Sequence, residues 1–373
     1  MRYYRRNSDN NPPGRRLLHC REKTIHADSP NTFYFYFQHN RNIVNARGYY
    51  RIWSYDRITG KLLELQSCEN GVATYNMDNP ISPKTTDRKS SEPVNAMTID
   101  VEDYYQVAAF EKIVAPADWC NYESRVVANT RRFLELLAAQ NVKSTFFVLG
   151  YEAERFPDMV REIAAAGHEI GSHGFAHQLA YKQSEIAFRD DVSRARKLLQ
   201  DISGQEVLSY RAPSFSIGRQ TPWGHRVLVE EGYKYDSSVF PIRHDLYGDP
   251  NAPVEIHTIE TESGPILEFP PTVVRWFGRN IPTGGGGYFR IFPYSLTRFM
   301  LRQVNRTRPF VFYIHPWEID PDQPRFSQSP LKSRFRHYTN LGKTADRFTR
   351  LLQSFRFAPI REVIEKYLLL CRK

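Results

Sequence analysis

The sequence predicts an α/β fold with a parallel sheet, and two observations support this prediction. Between residues 95 and 240, short apolar segments alternate with longer segments in which apolar residues recur at helical spacing. This alternation of strands and helices is typical of βαβ units, whose strands are parallel. In addition, polar residues directly follow several of the predicted strands, where the functional residues of parallel sheets collect.

The predicted elements follow one another in a regular order. The first strand covers 96–101, and the helix after it covers 128–139. A second strand covers 144–149, and the next helix, over 152–166, ends at Gly167. The remaining predicted elements are a strand over 168–171, a helix over 184–202, a strand ending at Arg211, a helix over 220–231, a strand ending at Asp236 and an apolar strand over 310–314.

Composition divides the chain near residue 95. Residues 1–95 show no sustained helical or strand period and end in a segment rich in proline, serine and charge, 79–93. We expect 1–95 to be a basic, poorly ordered extension or linker, or sequence that precedes a natural start at Met97. Residues 96–373 are expected to form the main domain.

The charge distribution argues against binding of nucleic acid. The formal net charge is +10, but residues 1–95 hold 15 Lys or Arg against 9 Asp or Glu, and the rest of the chain holds 36 against 32. No basic stripe interleaved with aromatic residues is present. No apolar run approaches the roughly 18 residues of a membrane span, and no apolar segment follows the charged N-terminus as in a secretory signal. We therefore predict a cytoplasmic protein without a transmembrane segment.

The most informative motif is a pair of histidines four residues apart, His173 and His177, within GHEIGSHGFAH. At this spacing, one helical turn or a tight loop turns both imidazoles to the same side, which suits a divalent transition metal. Such pairs also arise by chance on surfaces, so a metal site requires a third ligand. The acidic segment 100–103 offers a carboxylate at the end of the first strand. Two histidines and one carboxylate leave an open position, as in catalytic metal sites.

Three further polar residues follow predicted strands: Arg211, Asp236 and His315. Pro213 fixes a rigid turn after Arg211, whose guanidinium can pair with a carboxylate and orient it. His315 follows a very apolar strand and is a candidate general acid. Taken singly, Arg211 is equally explained by a surface ion pair and His315 by a satisfied position in the core. Their shared position at strand ends favours a common site.

Five segments, in this order, resemble the motifs of the polysaccharide deacetylases, the NodB-homology or carbohydrate esterase family four: TIDVED, SHGFAH, RAPSF, YDSS and YIHPW. The resemblance extends from Met97 to the C-terminus. The segments DVEDYYQV, GGGGYF and HPWEIDP resemble the subgroup associated with exosortase-linked (PEP-CTERM) exopolysaccharide gene clusters. The resemblance implies a distorted (β/α) barrel of about seven parallel strands, with a subgroup-specific region over about 240–373.

The resemblance also implies roles for the strand-end residues. Asp100 would be the catalytic base and would be held by Arg211. His315 would be the general acid, and Asp236 would tune it. The backbone N–H of Ser214 would help to bind the oxyanion of the reaction.

Two carboxylates compete for the third position of the implied metal site, which is expected to hold zinc. The family has adjacent aspartates, whereas two residues separate Asp100 from Asp103 here. Strand alternation puts Glu102 on the side of Asp100, whereas the family's preference for aspartate favours Asp103. We predict Asp103, His173 and His177 as ligands, with Glu102 as the alternative carboxylate.

The implied function is metal-dependent hydrolytic N-deacetylation of an N-acetylated sugar, in an exopolysaccharide or its lipid-linked precursor. The alternatives are a cyclic-amide hydrolase of the same superfamily and a non-catalytic carbohydrate-binding protein. A cytoplasmic enzyme of this kind could associate with the polysaccharide machinery of the inner membrane. Residues 283–288, TGGGGY, would let the backbone approach a ligand closely. Tyr288 and Trp317 could stack on sugar rings, with core packing as the alternative.

Overall fold

The computed structural model describes residues 93–244, 247–276 and 278–371, together with six short strands before residue 77. These strands are β1 (Arg15–His19), β2 (Phe35–Phe37), β3 (Ile52–Asp56), β4 (Lys61–Glu64), β5 (Ser67–Glu69) and β6 (Val72–Asn76). They form two antiparallel sheets, with the orders β1-β6-β5 and β2-β3-β4, within a compact unit that ends at Ser91. The expected poor order of 1–95 lies mostly outside the described residues and stays a prediction.

The second unit, from Glu92 onwards, is built on a sheet of nine strands and a separate hairpin. The strands of this unit are β7 (Val94–Val101), β8 (Thr145–Val148), β9 (Glu169–Ser172), β10 (Ser209–Tyr210), β11 (Tyr235–Asp236), β12 (His257–Thr261), β13 (Gly264–Glu268), β14 (Val273–Trp276), β15 (Arg279–Pro282), β16 (Val311–Ile314) and β17 (Arg356–Ala358). The sheet has the order β12-β13-β11-β10-β9-β8-β7-β16, and β17 also pairs with β7, while β14 and β15 form the hairpin. All six neighbouring pairs from β13 to β16 are parallel.

Helices connect the parallel strands as the sequence predicts. They are α1 (Val126–Ala139), α2 (Gly150–Arg155), α3 (Pro157–Ala165), α4 (Glu185–Ser203), α5 (Gly224–Glu230), α6 (Gly286–Ile291), α7 (Tyr294–Val304), α8 (Leu331–Tyr338), α9 (Leu341–Ser354) and α10 (Ile360–Cys371). Short 3₁₀ turns lie at Ala108–Phe110, Pro116–Asn121, Ala180–Lys182, Pro213–Phe215 and Pro316–Ile319. No helix in the described part of the chain is long and apolar enough to cross a membrane.

The helix expected over 152–166 is in fact two helices, α2 and α3, separated at Phe156. Phe156 has non-helical dihedral angles, φ −131° and ψ 60°. The cause is Pro157, because a proline ring disfavours the helical region for the residue before it. Pro157 itself occupies the first turn of α3, where its missing N–H costs no helical hydrogen bond.

The two outer parallel strands, β13 and β16, are linked through Thr272 and Gly284. The hydroxyl of Thr272 donates to the carbonyl of Val311 and accepts from its N–H, both at 2.9 Å. The Thr272 carbonyl accepts from the Gly284 N–H at 3.1 Å, and the Gly284 carbonyl accepts from Tyr313 at 2.8 Å. This bridge completes a distorted barrel of seven parallel strands, and the predicted fold class is confirmed.

The glycine run over 283–288 makes this closure possible. A Cβ on Gly284 would lie 2.7 Å from the carbonyl oxygen of Val311, and one on Gly285 would overlap the carbonyl oxygen of Tyr313. Gly285 also has a φ of 135°, which favours glycine. The close approach that the sequence suggested for a ligand is therefore made to the chain's own strand, β16.

Strand pairing positions the first functional side chain. Asp100 on β7 pairs in register with Phe147 on β8, while Ile99 pairs with Phe146. Because side chains alternate along a strand, Asp100 and Phe147 share one side of the sheet and the other pair shares the opposite side. Ile99 and Phe146 pack in the main apolar core, with the helices. Asp100 therefore stands beside Phe147 on the second face, where the site is assembled.

Candidate active site

Polar side chains at the carboxyl ends of the parallel strands meet in one buried site. They are Asp100 and Glu102 at β7, His173 after β9, Arg211 after β10 and His315 after β16. The Nε2 atom of His315 lies 3.9 Å from an Asp100 oxygen and 3.7 Å from a Glu102 oxygen. Residues from four strands are thus brought together, as expected for this type of sheet.

Glu102, His173 and His177 form a cluster that fits a divalent metal. One ligand atom of each residue lies within 4.8 Å of the others. The Glu102 Oε2 atom is 2.7 Å from Nε2 of His177 and 4.0 Å from Nε2 of His173. Two imidazole nitrogens and one carboxylate oxygen are the donors of catalytic zinc sites that keep an open position. The donor set therefore suits a transition metal better than calcium or magnesium.

Hydrogen bonding orients His173 for this task. Its Nδ1 lies 2.7 Å from the carbonyl oxygen of Arg211. Because a carbonyl only accepts, Nδ1 carries the proton, and the lone pair of Nε2 is directed to the cluster. Burial lowers the pKa of His173 to about 4, so the imidazole is neutral near pH 7. A neutral imidazole with a free Nε2 is the form that binds a metal.

The two histidines are held by a tight loop, which decides between the two conformations that their spacing allowed. Gly174 and His177 both have positive φ values, 75° and 52°, so the segment is not helical. The carboxylate of Asp191, on α4, accepts hydrogen bonds from the N–H groups of Phe175 at 2.9 Å and Ala176 at 3.1 Å. A Cβ on Gly174 would lie 2.8 Å from this carboxylate. The loop is therefore anchored to the helix that follows it.

The geometry favours Glu102 over Asp103 as the carboxylate of the cluster. Both oxygens of Asp103 are occupied: one accepts from the N–H of Tyr104, and the other accepts from Ser124, Arg125 and Val126 at the start of α1. Asp103 thus serves a helix terminus, where a carboxylate satisfies free N–H groups. Glu102, and not the predicted Asp103, therefore faces the histidines. Glu102 lies two residues after Asp100, so strand alternation places both side chains on the same side, whereas the family's preference for aspartate pointed to the wrong residue.

Asp100 and Arg211 form a buried ion pair. The guanidinium donates to Asp100 at 2.6 Å and to the hydroxyl of Thr98 at 2.7 Å, and its other edge donates to the hydroxyl and carbonyl of Ser237. Arg211 also lies over the ring of Phe147, 4.4 Å from its centroid. These contacts fix the Asp100 carboxylate, and its second oxygen lies 3.9 Å from Nε2 of His315.

His315 is held by Glu318, which the sequence analysis missed. Its Nδ1 lies 2.7 Å from a Glu318 oxygen, and the other oxygen of Glu318 accepts from Arg290 at 2.6 Å. Although burial lowers the pKa of His315, the charges of Glu102 and Glu318 raise it, to about 9 in all. The imidazolium form therefore predominates at neutral pH, and Nε2 carries a proton toward the site.

The neighbouring histidines act on Glu102 in turn. Burial raises the pKa of Glu102, but His177 and His315 hold it well below the ordinary value. Glu102 is therefore ionised, as a metal ligand has to be.

Asp236, predicted to tune His315, does not contact it. The described contacts of its carboxylate are with His225 at 3.1 Å and with the hydroxyl of Ser238 at 2.5 Å. Glu318, three residues after the histidine, occupies the position expected for Asp236. The sequence did contain a signal for this contact, because His-Pro-Trp-Glu places Glu318 at the third position of the 3₁₀ turn that His315 caps.

Trp317 is not an open surface for a sugar ring. It is 5% exposed, and its indole N–H donates to Glu102 at 3.2 Å. Its ring stacks on the imidazoles of His315 and His337, with interplanar angles of 19° and 12°. The packing alternative therefore holds for Trp317, which helps to position the carboxylate and the histidine of the site.

Ser214 and Tyr288 lie on the segments where the sequence placed them. Ser214 follows Pro213 in the 3₁₀ turn after Arg211, with a φ of 50°. This turn therefore comes directly after the segment of Arg211, whose carbonyl orients His173. Tyr288 is partly exposed in α6, and its described ring contact is with Phe292, with centroids 5.9 Å apart. The roles predicted for Ser214 and Tyr288 stay predictions.

Comparison with known families agrees with this geometry. The model of the polysaccharide deacetylase family matches residues 117–235, which contain both histidines and Arg211. This segment of the chain is therefore similar to the polysaccharide deacetylase domain. A second model, described as a domain of unknown function (DUF3473), matches residues 237–365. The segment of this second match contributes His315 and Glu318 to the site.

Curated relatives match this chain over short segments. A peptidoglycan-N-acetylglucosamine deacetylase of Bacillus cereus is 37% identical over 84 residues, 22% of this chain and 30% of the relative. A peptidoglycan deacetylase of Helicobacter pylori is 29% identical over 108 residues, 29% of this chain and 36% of the relative. The chain thus spans about a third of the length of these relatives.

A solved structure extends the comparison to most of this chain. The crystal structure of a putative polysaccharide deacetylase from Mycobacterium smegmatis aligns with 74% of this chain and 90% of its own, with a TM-score of 0.50 and 20% sequence identity. At this level of identity, the alignment shows that the two proteins share a fold.

Proposed function

We propose that this protein is a metal-dependent N-deacetylase, which hydrolyses the acetamide of an N-acetylated sugar to acetate and a free amino sugar. The proposal depends on one observation: potential metal ligands and groups that can transfer protons lie together in one site. Glu102, His173 and His177 can hold a metal, and Asp100 and His315 face the same space. A protein that only binds carbohydrate requires neither the metal ligands nor the proton-transfer pair.

The metal is proposed to be zinc, because neutral imidazoles and one carboxylate are the donors that zinc prefers. When bound, such a metal acts as a Lewis acid that polarises a carbonyl oxygen and makes water more acidic. The chain prepares the site in two ways. The Arg211 carbonyl fixes the tautomer of His173, and Trp317 donates to Glu102 and so orients it.

The protein side chains carry the proton transfers in this proposal. Asp100, whose first oxygen is occupied by Arg211, uses its second oxygen to take the proton of the attacking water. His315, protonated through its contact with Glu318, gives a proton to the departing amine. The N–H of Ser214, in the turn after Arg211, helps to stabilise the oxyanion that forms at the former acetamide oxygen.

The proposed substrate is an N-acetylated exopolysaccharide or its lipid-linked precursor. Support for the sugar class comes from the family match and from relatives named as deacetylases of N-acetylglucosamine in peptidoglycan. Support for the exopolysaccharide comes from the subgroup resemblance of DVEDYYQV, GGGGYF and HPWEIDP. A cavity of about 170 Å³ lies next to the metal cluster, with His177, Tyr105, Trp119 and Leu179 in its lining.

The test is acetate release from N-acetylated chitooligosaccharides by the full chain. Release should stop after chelation and return when zinc is added. Replacement of His173 by alanine should abolish release that zinc cannot restore, while replacement of the partly exposed His257 should have no effect. A folded, zinc-loaded protein that releases no acetate from these substrates or from polysaccharides of its own host would contradict the proposal and favour a binding protein.

A further inference from the structure

A second cluster of potential metal ligands lies apart from the candidate active site. It consists of His225, Asp236 and Glu268, and one ligand atom of each lies within 4.8 Å of the others. Asp236 and Glu268 are register partners at the ends of the parallel strands β11 and β13, which places their side chains next to each other. His225 approaches from the first turn of α5.

Hydrogen bonding leaves one ligand atom of this cluster without a partner. Asp236 accepts from the hydroxyl of Ser238 through one oxygen and contacts Nε2 of His225, at 3.1 Å, through the other. Glu268 accepts from the N–H of Val239 at 3.0 Å through Oε1, but its Oε2 has no hydrogen-bond partner. Glu268 is fully buried. A buried carboxylate oxygen without a partner is costly, and a ligand in the cluster would remove this cost.

The charge of the cluster is also incomplete. Among the ion pairs of the described residues, Asp236 has one basic partner, His225, and Glu268 has none. Glu268 is thus a fully buried carboxylate without a basic partner among these residues, and a cation in the cluster would supply the missing positive charge.

We propose that His225, Asp236 and Glu268 bind a divalent transition metal of the zinc class. Two carboxylate oxygens and one imidazole nitrogen are donors that zinc accepts, and Oε2 of Glu268 is available to it. The side chain of His225 is 14% exposed, whereas that of Asp236 is fully buried, so the metal enters on the histidine side. The proposal rests on these three residues and not on the deacetylase reaction.

The position of the cluster gives this metal a structural role. The Ser238 hydroxyl, which donates to Asp236, accepts from the N–H of Ala212 at 2.8 Å. The adjacent Ser237 accepts from the guanidinium of Arg211 at 2.9 Å. A metal that joins the ends of β11 and β13 would therefore brace the segment that positions Arg211.

The test is the zinc content of the full chain after loading with zinc and removal of the excess. Wild-type protein is expected to hold two equivalents. Glu268→Gln and His225→Ala are each expected to hold one equivalent, and so is Glu102→Gln, which removes the other site. The double variant of Glu102 and Glu268 is expected to hold none. His257→Ala, a matched histidine outside both clusters, should keep two.

Thermal melting provides a second measurement, which does not use Glu268→Gln and so does not depend on whether that variant folds. Zinc alone should raise the Tm of Glu102→Gln, in which the second cluster is intact, more than that of the same protein with His225→Ala. One equivalent of zinc in the wild-type protein, with no loss in Glu268→Gln, would overturn the proposal and identify the cluster as two carboxyl groups that share a proton. Because activity is not measured, failure of the deacetylase assay leaves this test unaffected.

Discussion

At the scale of single residues, the site is defined by partners that fix each reactive atom. The Arg211 guanidinium holds one oxygen of Asp100, and the Arg211 carbonyl fixes the tautomer of His173. Glu318 holds the imidazole of His315 from the side opposite the site. One residue, Arg211, thus orients both the proposed base and a proposed metal ligand.

Arg211→Lys is predicted to lower kcat by roughly 10²-fold, because small displacements of catalytic groups have effects of this size. Lysine keeps the charge but cannot reach Asp100, Thr98 and Ser237 together. Steady-state acetate release measures the effect, with Arg161→Lys on the surface as the control. A lysine variant with wild-type kcat would show that the multiple contacts of the guanidinium are not needed.

Glu318→Gln is predicted to move the alkaline limit of activity to lower pH. The wild-type general acid should be lost as pH rises through the His315 pKa of about 9. The amide removes a negative charge that favours the imidazolium, so the pKa of His315 falls and the acid is lost earlier. The profile of kcat/KM against pH measures this shift, and exposed Glu154→Gln is the control. An unchanged alkaline limit would show that Glu318 does not act on His315.

At the scale of elements, two segments that look irregular are fixed by long-range contacts. The loop over 173–177 is held by Asp191 on α4, and the barrel is closed by Gly284 and Gly285 against β16. Neither contact is local in sequence. Both therefore require that the elements that they join are packed together.

Asp191→Asn is predicted to weaken zinc binding at the His173 and His177 site by about 10- to 100-fold, which is typical for loss of a contact behind a metal ligand. Asparagine has one acceptor oxygen, whereas two N–H groups of the loop require acceptors. Competition for zinc with a chelator measures the affinity. Exposed Asp190→Asn, on the same helix, is the control, and equal affinities of the two variants would contradict the prediction.

Gly285→Ala is predicted to destabilise the protein by about 3 kcal/mol or more, because the new side chain would overlap backbone atoms of a buried strand. The added methyl group would overlap the carbonyl oxygen of Tyr313 and would require a φ that alanine disfavours. Thermal or urea unfolding measures the loss. Gly218→Ala, where a Cβ meets no atom within 4 Å, is the control. Similar stabilities of the two variants would show that the approach to β16 is not tight.

At the scale of the whole molecule, the two family matches describe parts of one barrel. The deacetylase match over 117–235 covers β8 to β11, whereas the match over 237–365 covers β12 to β17. The strand β7, with Asp100 and Glu102, precedes both matches, and His315 lies in the second. The site is therefore complete only when all three segments fold together.

Sequence reasoning predicted the alternation of strands and helices and the polar residues that follow the strands, because hydrophobic period and residue type are local properties. It did not predict which carboxylate faces the histidines, since a preference for aspartate was weighed above strand alternation. The closure by Gly285 depends on a contact between distant elements, which no local pattern reports. The contact between Glu318 and His315 is local, and its signal in the sequence was overlooked. The helix break at Phe156 was predictable from Pro157 and was overlooked.

The most direct test of the account compares Glu102→Gln with Asp103→Asn for acetate release and zinc affinity. The account predicts that Glu102→Gln loses more than about 10²-fold in both quantities. Asp103→Asn should retain zinc and lose about 1 kcal/mol of stability, because it weakens only the start of α1. Loss of zinc and turnover in Asp103→Asn, with both retained in Glu102→Gln, would contradict the proposed metal centre.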